Sequence, residues 1–249
     1  MNGIIFLTIS AILLTLSSVG AQEIITDRPD FTESAVVVQS RIVQIESGVQ
    51  FTDFNSVEEF SYPNALARIG LGYNLEIRLG FSGWSSITVG DASSTYLNDL
   101  LFEVKYQITG ENAEIPMAVL LVSTLPTGDD EVSVGSTESG LKFASAYDFT
   151  DQFGLSVNLG AISIEVAEER EILSLFSVSL GLGLSDRLGA FLETFAEIPH
   201  NDVWQPVVDG GFTYLLNPTT QLDLYMGKGL NDYAADLIVG GGFSILFGY

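Results

Sequence analysis

Beyond residue 38, apolar and polar residues alternate with a period of two over segments of about ten to fourteen residues. This period places successive side chains on opposite faces of an extended chain, so each segment predicts a β-strand. Twelve strands are predicted, an even number that is typical of single-chain outer-membrane barrels. Their predicted ranges are 39–52, 65–74, 76–84, 97–109, 114–124, 139–148, 152–163, 172–184, 187–197, 205–216, 220–228 and 236–249.

The connections between these strands alternate between short turns and longer loops. The short turns are Asn74–Glu76, Gly110–Asn112, Phe149–Asp151, Ser185–Arg187 and Asn217–Thr219. The longer loops are 53–64, 85–96, 125–138, 164–171, 198–204 and 229–235. Short periplasmic turns that alternate with longer outer loops are typical of an antiparallel up-and-down transmembrane β-barrel. An even number of strands then places both the N- and the C-terminus on the periplasmic side.

The alternation also predicts which side chains face lipid. In the fourth predicted strand, Phe102 and Val104 face outward, while Glu103 and Lys105 face inward. An Arg or Lys at mid-depth on the lipid face costs roughly 2–4 kcal/mol, so charges are expected to gather inside. The charged residues predicted to line the interior are Glu46, Arg68, Arg78, Glu103, Lys105, Lys142, Glu193, Asp209, Asp223 and Asp236.

Such an interior fits two functions. Eight strands enclose a filled barrel and sixteen enclose an aqueous channel, so twelve strands permit a narrow pore without requiring one. Mixed acids and bases could pair into a closed interior, or they could line a passage for a small-molecule solute. We therefore predict a narrow channel or transporter for small solutes, with a closed structural or surface-interaction barrel as the alternative.

The composition agrees with a membrane barrel. Hydrophobic residues make up 47% of the chain and charged residues only 16%, with a mean hydropathy of +0.34, whereas soluble domains carry about 25% charged residues. After residue 22, the longest apolar run is Met117–Val122, too short for a spanning helix. A soluble β-sandwich also alternates. Long strands, scarce charge and an export signal count against it.

The first 21 residues predict a signal peptide. Ile4–Leu16 forms an apolar core, and Val19–Ala21 supplies small residues before a predicted cleavage between Ala21 and Gln22. The segment before the core lacks Lys and Arg, which departs from the usual pattern. An uncleaved anchor is the alternative, but the core is short for one. The sequence therefore predicts export to the bacterial outer membrane.

Residues 22–38 lie between the predicted signal peptide and the barrel at 39–249. This periplasmic segment is dense in charge, with Asp27, Arg28, Asp30 and Glu33. We expect it to fold into the periplasmic mouth as a plug, with Arg28 pairing with an inward carboxylate. A disordered tether is the alternative.

The net charge and the amino-acid composition exclude several classes of binding and catalytic site. A formal net charge of −23 argues against binding nucleic acid, and the absence of cysteine excludes thiolate sites. Many of the acids fall in the predicted loops, where they either form a solvated rim or bridge through divalent cations to lipopolysaccharide and outer-membrane lipid. The single histidine, His200, has no accompanying serine motif, so a hydrolase is the weaker alternative. We expect no catalytic residues, no metal and no cofactor.

Several stretches resemble one known family. They are ITDRPDFTES at Ile25–Ser34, LPTG at Leu125–Gly128, SDRL at Ser185–Leu188, GGFTYLLNP at Gly210–Pro218 and QLDLYMGKGLND at Gln221–Asp232. Together they resemble the outer-membrane "transporter" family labelled "putative meta-pathway of phenol degradation". The resemblance implies a barrel linked to uptake of small, often hydrophobic or aromatic compounds.

The chain departs from that family's usual pattern at two positions. Lys228 stands where Arg is usual, and the last residue is Tyr249 where Phe is commoner in outer-membrane proteins. An aromatic end still fits recognition by the barrel-insertion machinery. The resemblance carries over no catalytic residue.

Overall fold

The computed structural model describes residues 24–110, 112–167, 169–199 and 203–248. The predicted signal peptide, its cleavage site at Ala21 and Gln22, and His200 lie outside the described residues. Within these ranges the regular structure is antiparallel β-strand. No helix in the described part of the chain is long and apolar enough to cross a membrane.

The chain forms fourteen strand segments. They are β1 (Ile42–Phe54), β2 (Val57–Gly72), β3 (Leu75–Phe81), β4 (Trp84–Val89), β5 (Ala92–Leu97), β6 (Leu100–Gln107), β7 (Met117–Leu125), β8 (Glu138–Thr150), β9 (Phe153–Val166), β10 (Glu169–Gly183), β11 (Leu188–Pro199), β12 (Gln205–Asn217), β13 (Thr220–Gly229) and β14 (Leu237–Gly248).

These segments close into a barrel of twelve strands. β1 pairs with β14 on one side and with β2 on the other, so the sheet has no open edge along β1. β3 and β4 together form one barrel strand, because β2 pairs with β3 through Ala65 and Phe81 and continues onto β4 through Tyr62 and Trp84. β5 and β6 likewise form one strand opposite them. The predicted number of strands is therefore confirmed.

Several strands run further than predicted. The predicted loop 53–64 is largely strand, because β1 and β2 join in a hairpin at Asn55 and Ser56, whose φ angles are 51° and 65°. A hairpin turn with positive φ at both central residues has a backbone twist that matches the right-handed twist of the two strands it connects. The predicted loops 85–96 and 164–171 are also mostly strand. These extensions carry polar residues on both faces and so lack the alternation that a lipid-facing strand needs.

The two faces of the wall are assigned as expected. On β6, Phe102 and Tyr106 are exposed on the outer face, whereas Glu103 and Lys105 are buried inside. On β13, Leu222, Leu224 and Met226 are exposed, and Asp223 is buried. The strands thus present an apolar band outward and a polar surface inward.

The barrel has two distinct ends. The turn end carries short connections such as those at 73–74, 151–152 and 218–219, and the loop end carries the hairpin at 55–56 and the loop 126–137. Residues 24–38, which we call the inner segment, begin at the turn end, where the N–H of Ile24 donates to the carbonyl of Pro218. They return to the same end before β1 begins at Ile42.

The core lies between the inner segment and the barrel wall. Ala35 packs against Leu120 and Val122 of β7 and Ala144 of β8, and all four are buried. This contact explains why β7 is apolar on both faces: its outer face meets lipid and its inner face meets Ala35. A second cluster joins the inner segment to the turn end through Ile24, Val38, Ile42 and Leu246.

Candidate functional site in the barrel interior

The cations of the interior lie on one wall, opposite a wall whose buried charges are acidic. Basic side chains project from β2, β3, β6 and β8, and acidic ones from β11, β12 and β13. The basic set is Arg68, Arg78, Lys105 and Lys142, and the acidic set is Glu193, Asp209 and Asp223. The wall that carries the cations also carries the buried carboxylates Glu46, Glu76 and Glu103, so its charges are mixed, whereas the buried charges on β11, β12 and β13 are acidic.

Nine of the ten residues predicted to line the interior lie there. Glu46, Arg68, Arg78, Glu103, Lys105, Glu193, Asp209 and Asp223 are buried, and Lys142 is partly exposed within the same cluster. Asp236 is the exception. It is exposed at the loop end, where its carboxylate accepts a hydrogen bond from the N–H of Asn55. Its position just before β14 begins places it at the rim, so its assignment to the interior is wrong.

Asp27 of the inner segment joins the basic wall. Its carboxylate lies 3.1 Å from both Arg68 and Arg78 and 3.7 Å from Lys105. Burial alone would raise the pKa of Asp27, but the charges of Arg68, Lys105 and Arg78 outweigh burial and hold the pKa well below its usual range. Asp27 is therefore ionised and paired.

Arg28 reaches the acidic wall in the opposite direction. Its guanidinium contacts both carboxylate oxygens of Asp223, with Nη2–Oδ1 at 2.9 Å and Nε–Oδ2 at 3.2 Å. A Cβ built on Gly242 would lie 2.6 Å from Nη2 of Arg28, and one built on Gly48 would also clash with this guanidinium. The two glycines therefore leave the space that Arg28 occupies.

Phe31 and Thr32 dock on β11. Their backbone N–H groups each donate to Glu193 at 2.7 Å, and the Thr32 hydroxyl donates to the same carboxylate. The Phe31 ring stacks on Phe195 with centroids 4.3 Å apart. Hydrogen bonding and stacking thus fix this part of the segment on one wall.

Asp30 lies beside this contact. Burial, together with the negative charge of Glu193, raises the pKa of Asp30 well above its usual range. The ionised form of Asp30 is therefore disfavoured next to the acidic wall. Of the four charged residues predicted for the segment, Asp27, Arg28 and Glu33 form ion pairs, and Asp30 faces like charge.

Glu33 returns to the basic wall. One carboxylate oxygen lies 2.9 Å from Nζ of Lys142, and the other is in close contact with Arg78. Burial would raise the pKa of Glu33, but Arg78 and Lys142 lower it to about 2. The backbone of Glu33 is also held, because its N–H donates to Asn158 Oδ1 and its carbonyl accepts from Asn158 Nδ2.

Polar side chains of the wall satisfy the backbone of the inner segment. Glu46 accepts from the N–H groups of Asp27 and Arg28, and Glu76 accepts from that of Val38. Arg68 donates to the carbonyls of Ile25 and Val36. Because buried N–H and C=O groups need partners, these contacts let an extended segment sit inside the barrel without a strand beside it.

Cavities lie on both sides of the inner segment. A cavity of about 470 Å³ opens at the turn end and is lined by Thr26, Arg28 and Asp30 of the segment. On the side facing the loop end, a cavity of about 220 Å³ is lined by Arg28 and Glu33. The segment therefore forms a wall of each cavity, with Arg28 shared between them.

Some interior contacts could not be predicted from charge and alternation. Asn158 and Gln107 are neutral, so they did not stand out among inward residues, yet both bind the segment's backbone. Gly242 belongs to the Gly240–Gly242 run of the last strand, and nothing in this run indicates Arg28 as its neighbour. Met117–Val122 is apolar on both faces of its strand. This pattern was the one feature of the sequence that indicated an apolar neighbour on the inner face of β7.

The barrel is similar to solved outer-membrane structures. It matches an outer membrane channel from Pseudomonas putida F1 with a TM-score of 0.62 at 14% identity, covering 93% of this chain and 100% of that one. It matches the NanC porin with a TM-score of 0.58 at 10% identity, covering 82% and 98%. It matches the KdgM porin with a TM-score of 0.57 at 9% identity, covering 82% and 99%. At these identities the likeness shows the fold.

No curated protein matches the sequence. A family model described as "Putative MetA-pathway of phenol degradation" matches residues 26–247. The match runs from the inner segment through the last strand, and it confirms the resemblance seen in the sequence. This chain therefore belongs to the family described as "Putative MetA-pathway of phenol degradation".

Proposed function

We propose that the protein is an outer-membrane channel for small solutes and that the inner segment is its plug. The observation that carries the proposal is the position of this segment between two cavities, held to the wall by contacts that are all non-covalent. An apolar outer face suits lipid, and a charged interior suits a polar path. A plug that rests on ion pairs and hydrogen bonds can leave the lumen without breaking the barrel.

Orientation follows from the same geometry. The inner segment starts and finishes at the turn end, and short turns are periplasmic in bacterial barrels. The segment therefore enters the lumen from the periplasmic side, where both termini also lie, after export and cleavage of the signal peptide. The loop end faces outward, where its acidic loops meet lipopolysaccharide. Insertion requires the barrel-insertion machinery.

The solved relatives support a channel. The three barrels described above are named as channels or porins, and a KdgM structure is described as a complex with a disordered oligogalacturonate. The family description, which concerns phenol degradation, makes hydrophobic or aromatic compounds the first solutes to test.

A closed structural barrel is the second candidate. It is favoured by the ion pairs of Asp27 and Glu33 with the basic wall, which hold the inner segment inside the barrel. An outer-membrane hydrolase would depend on His200, outside the described residues, and no contact in the described part of the chain favours it.

Planar-bilayer recording tests the channel. The mature protein is compared with a variant that lacks residues 24–38. We expect brief or small conductance steps from the mature protein and larger, steadier steps from the deletion variant, because the plug is gone. Heat-modifiable gel mobility verifies that both barrels fold. If neither protein conducts and neither admits solutes into proteoliposomes, the closed barrel is the correct description.

A further inference from the structure

The cavity on the loop side of the inner segment combines charge with apolar surface. Leu66 of β2 and Leu101 of β6 line it beside Gly80 of β3. Lys142 and Arg78 line the same cavity next to the carboxylate of Glu33, which binds both of them. A cavity with an apolar wall and a convergent pair of cations suits a small amphipathic anion.

The charged residues around this cavity come from both the barrel wall and the inner segment. The cations that line it are Arg28, Arg78 and Lys142, and the carboxylates are Glu33, Glu46 and Glu103. Glu46 and Glu103 belong to the strands β1 and β6, whereas Glu33 belongs to the inner segment. Because Arg28 pairs with Asp223 and Arg78 with Glu103, movement of the Glu33 side chain leaves Lys142 as the lining cation without an ion pair, and the carboxylate of a small anion can take that place.

Lys142 is the cation best placed to exchange partners. The Lys142 side chain is 19% exposed, whereas that of Arg78 is 3% exposed. Arg78 also pairs with Glu103 at 3.0 Å and with Asp27 at 3.1 Å, so it stays compensated if Glu33 leaves. Lys142 has only Glu33 among the ion pairs of the described residues. A ligand carboxylate can therefore reach Lys142 from the cavity and replace Glu33.

We propose that this cavity is a binding site for small monocarboxylates with a short apolar body, and that Glu33 occupies the anion position when no solute is bound. The solute's carboxylate binds Lys142 and Arg78, and its apolar part packs against Leu66 and Leu101. Binding displaces Glu33 and removes one attachment of the plug. This inference rests on the proposed function for its role in transport, but not for binding itself.

Binding is measured by isothermal titration of the mature protein in detergent micelles with sodium benzoate, and with benzamide as the neutral comparison. Glu33→Gln removes the competing carboxylate, so we expect benzoate to bind roughly ten- to hundredfold more tightly than to the unchanged protein. Lys142→Gln should weaken benzoate binding by a similar factor, and Lys142→Arg should restore it. Benzamide should bind none of these proteins measurably.

Arg187→Gln is the matched control, because Arg187 is a cation exposed at the turn end. It should leave benzoate binding unchanged. The proposal is overturned if Lys142→Gln binds benzoate as well as the unchanged protein, if Glu33→Gln gives no gain, or if benzamide binds equally well. Should Lys142→Gln not fold, the Glu33→Gln titration alone decides.

Titration involves no membrane current, so the two proposals fail separately. Conductance without benzoate binding rejects the anion site and leaves the channel. Benzoate binding without conductance rejects the channel and leaves a ligand site inside a closed barrel.

Discussion

The guanidinium of Arg28 forms a two-point ion pair with the carboxylate of Asp223, a residue 195 positions further along the chain. Together with the hydrogen bonds of Phe31 and Thr32 to Glu193, it attaches the inner segment to the acidic wall, while Asp27 and Glu33 attach it to the basic wall. Asp27, Arg28 and Glu33 thus each meet a wall side chain of opposite charge, whereas Asp30 lies beside Glu193.

Breaking this pair should loosen the plug without unfolding the barrel. Hydrogen bonds to charged groups contribute about 1.5–3 kcal/mol, so Arg28→Gln should shift the seated segment toward release by roughly ten- to hundredfold. We expect a matching rise in channel open probability in bilayer recordings. Asp223→Asn should act in the same direction, and the double variant should add little, because both changes remove one interaction.

Asp236→Asn is the control for this series. Asp236 is also an acid of the C-terminal part of the chain, but it lies just before β14, exposed at the loop end, where it binds Asn55 rather than the inner segment. Its variant should gate like the unchanged protein. Equal open probability in Arg28→Gln and the unchanged protein would contradict a plug held by Arg28.

A disulfide can hold the segment in place. The hydroxyls of Thr32 and Ser177 lie 2.7 Å apart, and both residues are buried. Cysteines at these two positions place their sulfurs near bonding distance, and the chain has no other cysteine to compete. The oxidised Thr32→Cys, Ser177→Cys variant should lose conductance, and dithiothreitol should restore it.

Each single cysteine variant is the control, since neither can form the bond. Conductance that is the same before and after reduction, in a variant shown by mass spectrometry to be oxidised, would mean that solutes bypass the segment. The experiment thus tests movement of the plug rather than its presence.

The wall of this barrel could be predicted because its physical requirement is simple. Lipid outside and water or polar groups inside impose a period of two, and this period alone assigns Phe102 outward and Glu103 inward, where both side chains lie. Strand ends could not be predicted as well. Beyond the apolar band both faces meet water, so Val57–Ser61 remains strand through pairing with β1 and β4 without showing alternation.

The charged residues of the interior could be predicted, but the ion pairs between them could not. Alternation identified Arg68, Arg78 and Glu193 as inward, and charge density marked the inner segment. Which carboxylate Arg28 meets depends on the segment's path across the lumen, and that path is set by contacts far apart in sequence, such as Phe31 with Phe195. Asp236 was misplaced for another reason. Alternation indicates the side of the wall on which a side chain lies, but it does not indicate where a strand ends at the rim of the barrel.

Asp99 fixes the longest described loop, residues 126–137, to the wall. Its carboxylate accepts from the N–H groups of Thr127 and Gly128 at 2.7 Å and of Val134 at 2.8 Å. Burial would raise the pKa of Asp99, but the backbone hydrogen bonds from Val134, Gly128 and Thr127 outweigh burial and lower the pKa. A lowered pKa means that the anchoring is fully present above the pKa of the unfolded chain, about 3.9, and is lost as pH falls through the folded value.

Asp99→Asn should therefore release this loop at neutral pH, because an amide places its own donors against backbone donors. We expect the amide hydrogens of Thr127, Gly128 and Val134 to exchange roughly ten- to hundredfold faster, as measured by hydrogen exchange. Asp130→Asn changes an exposed acid of the same loop and should leave these rates unchanged. In the unchanged protein, protection should persist at pH 5 and disappear only below the usual range of an aspartate. Loss of protection between pH 7 and pH 5 would contradict an ionised Asp99 as the anchor.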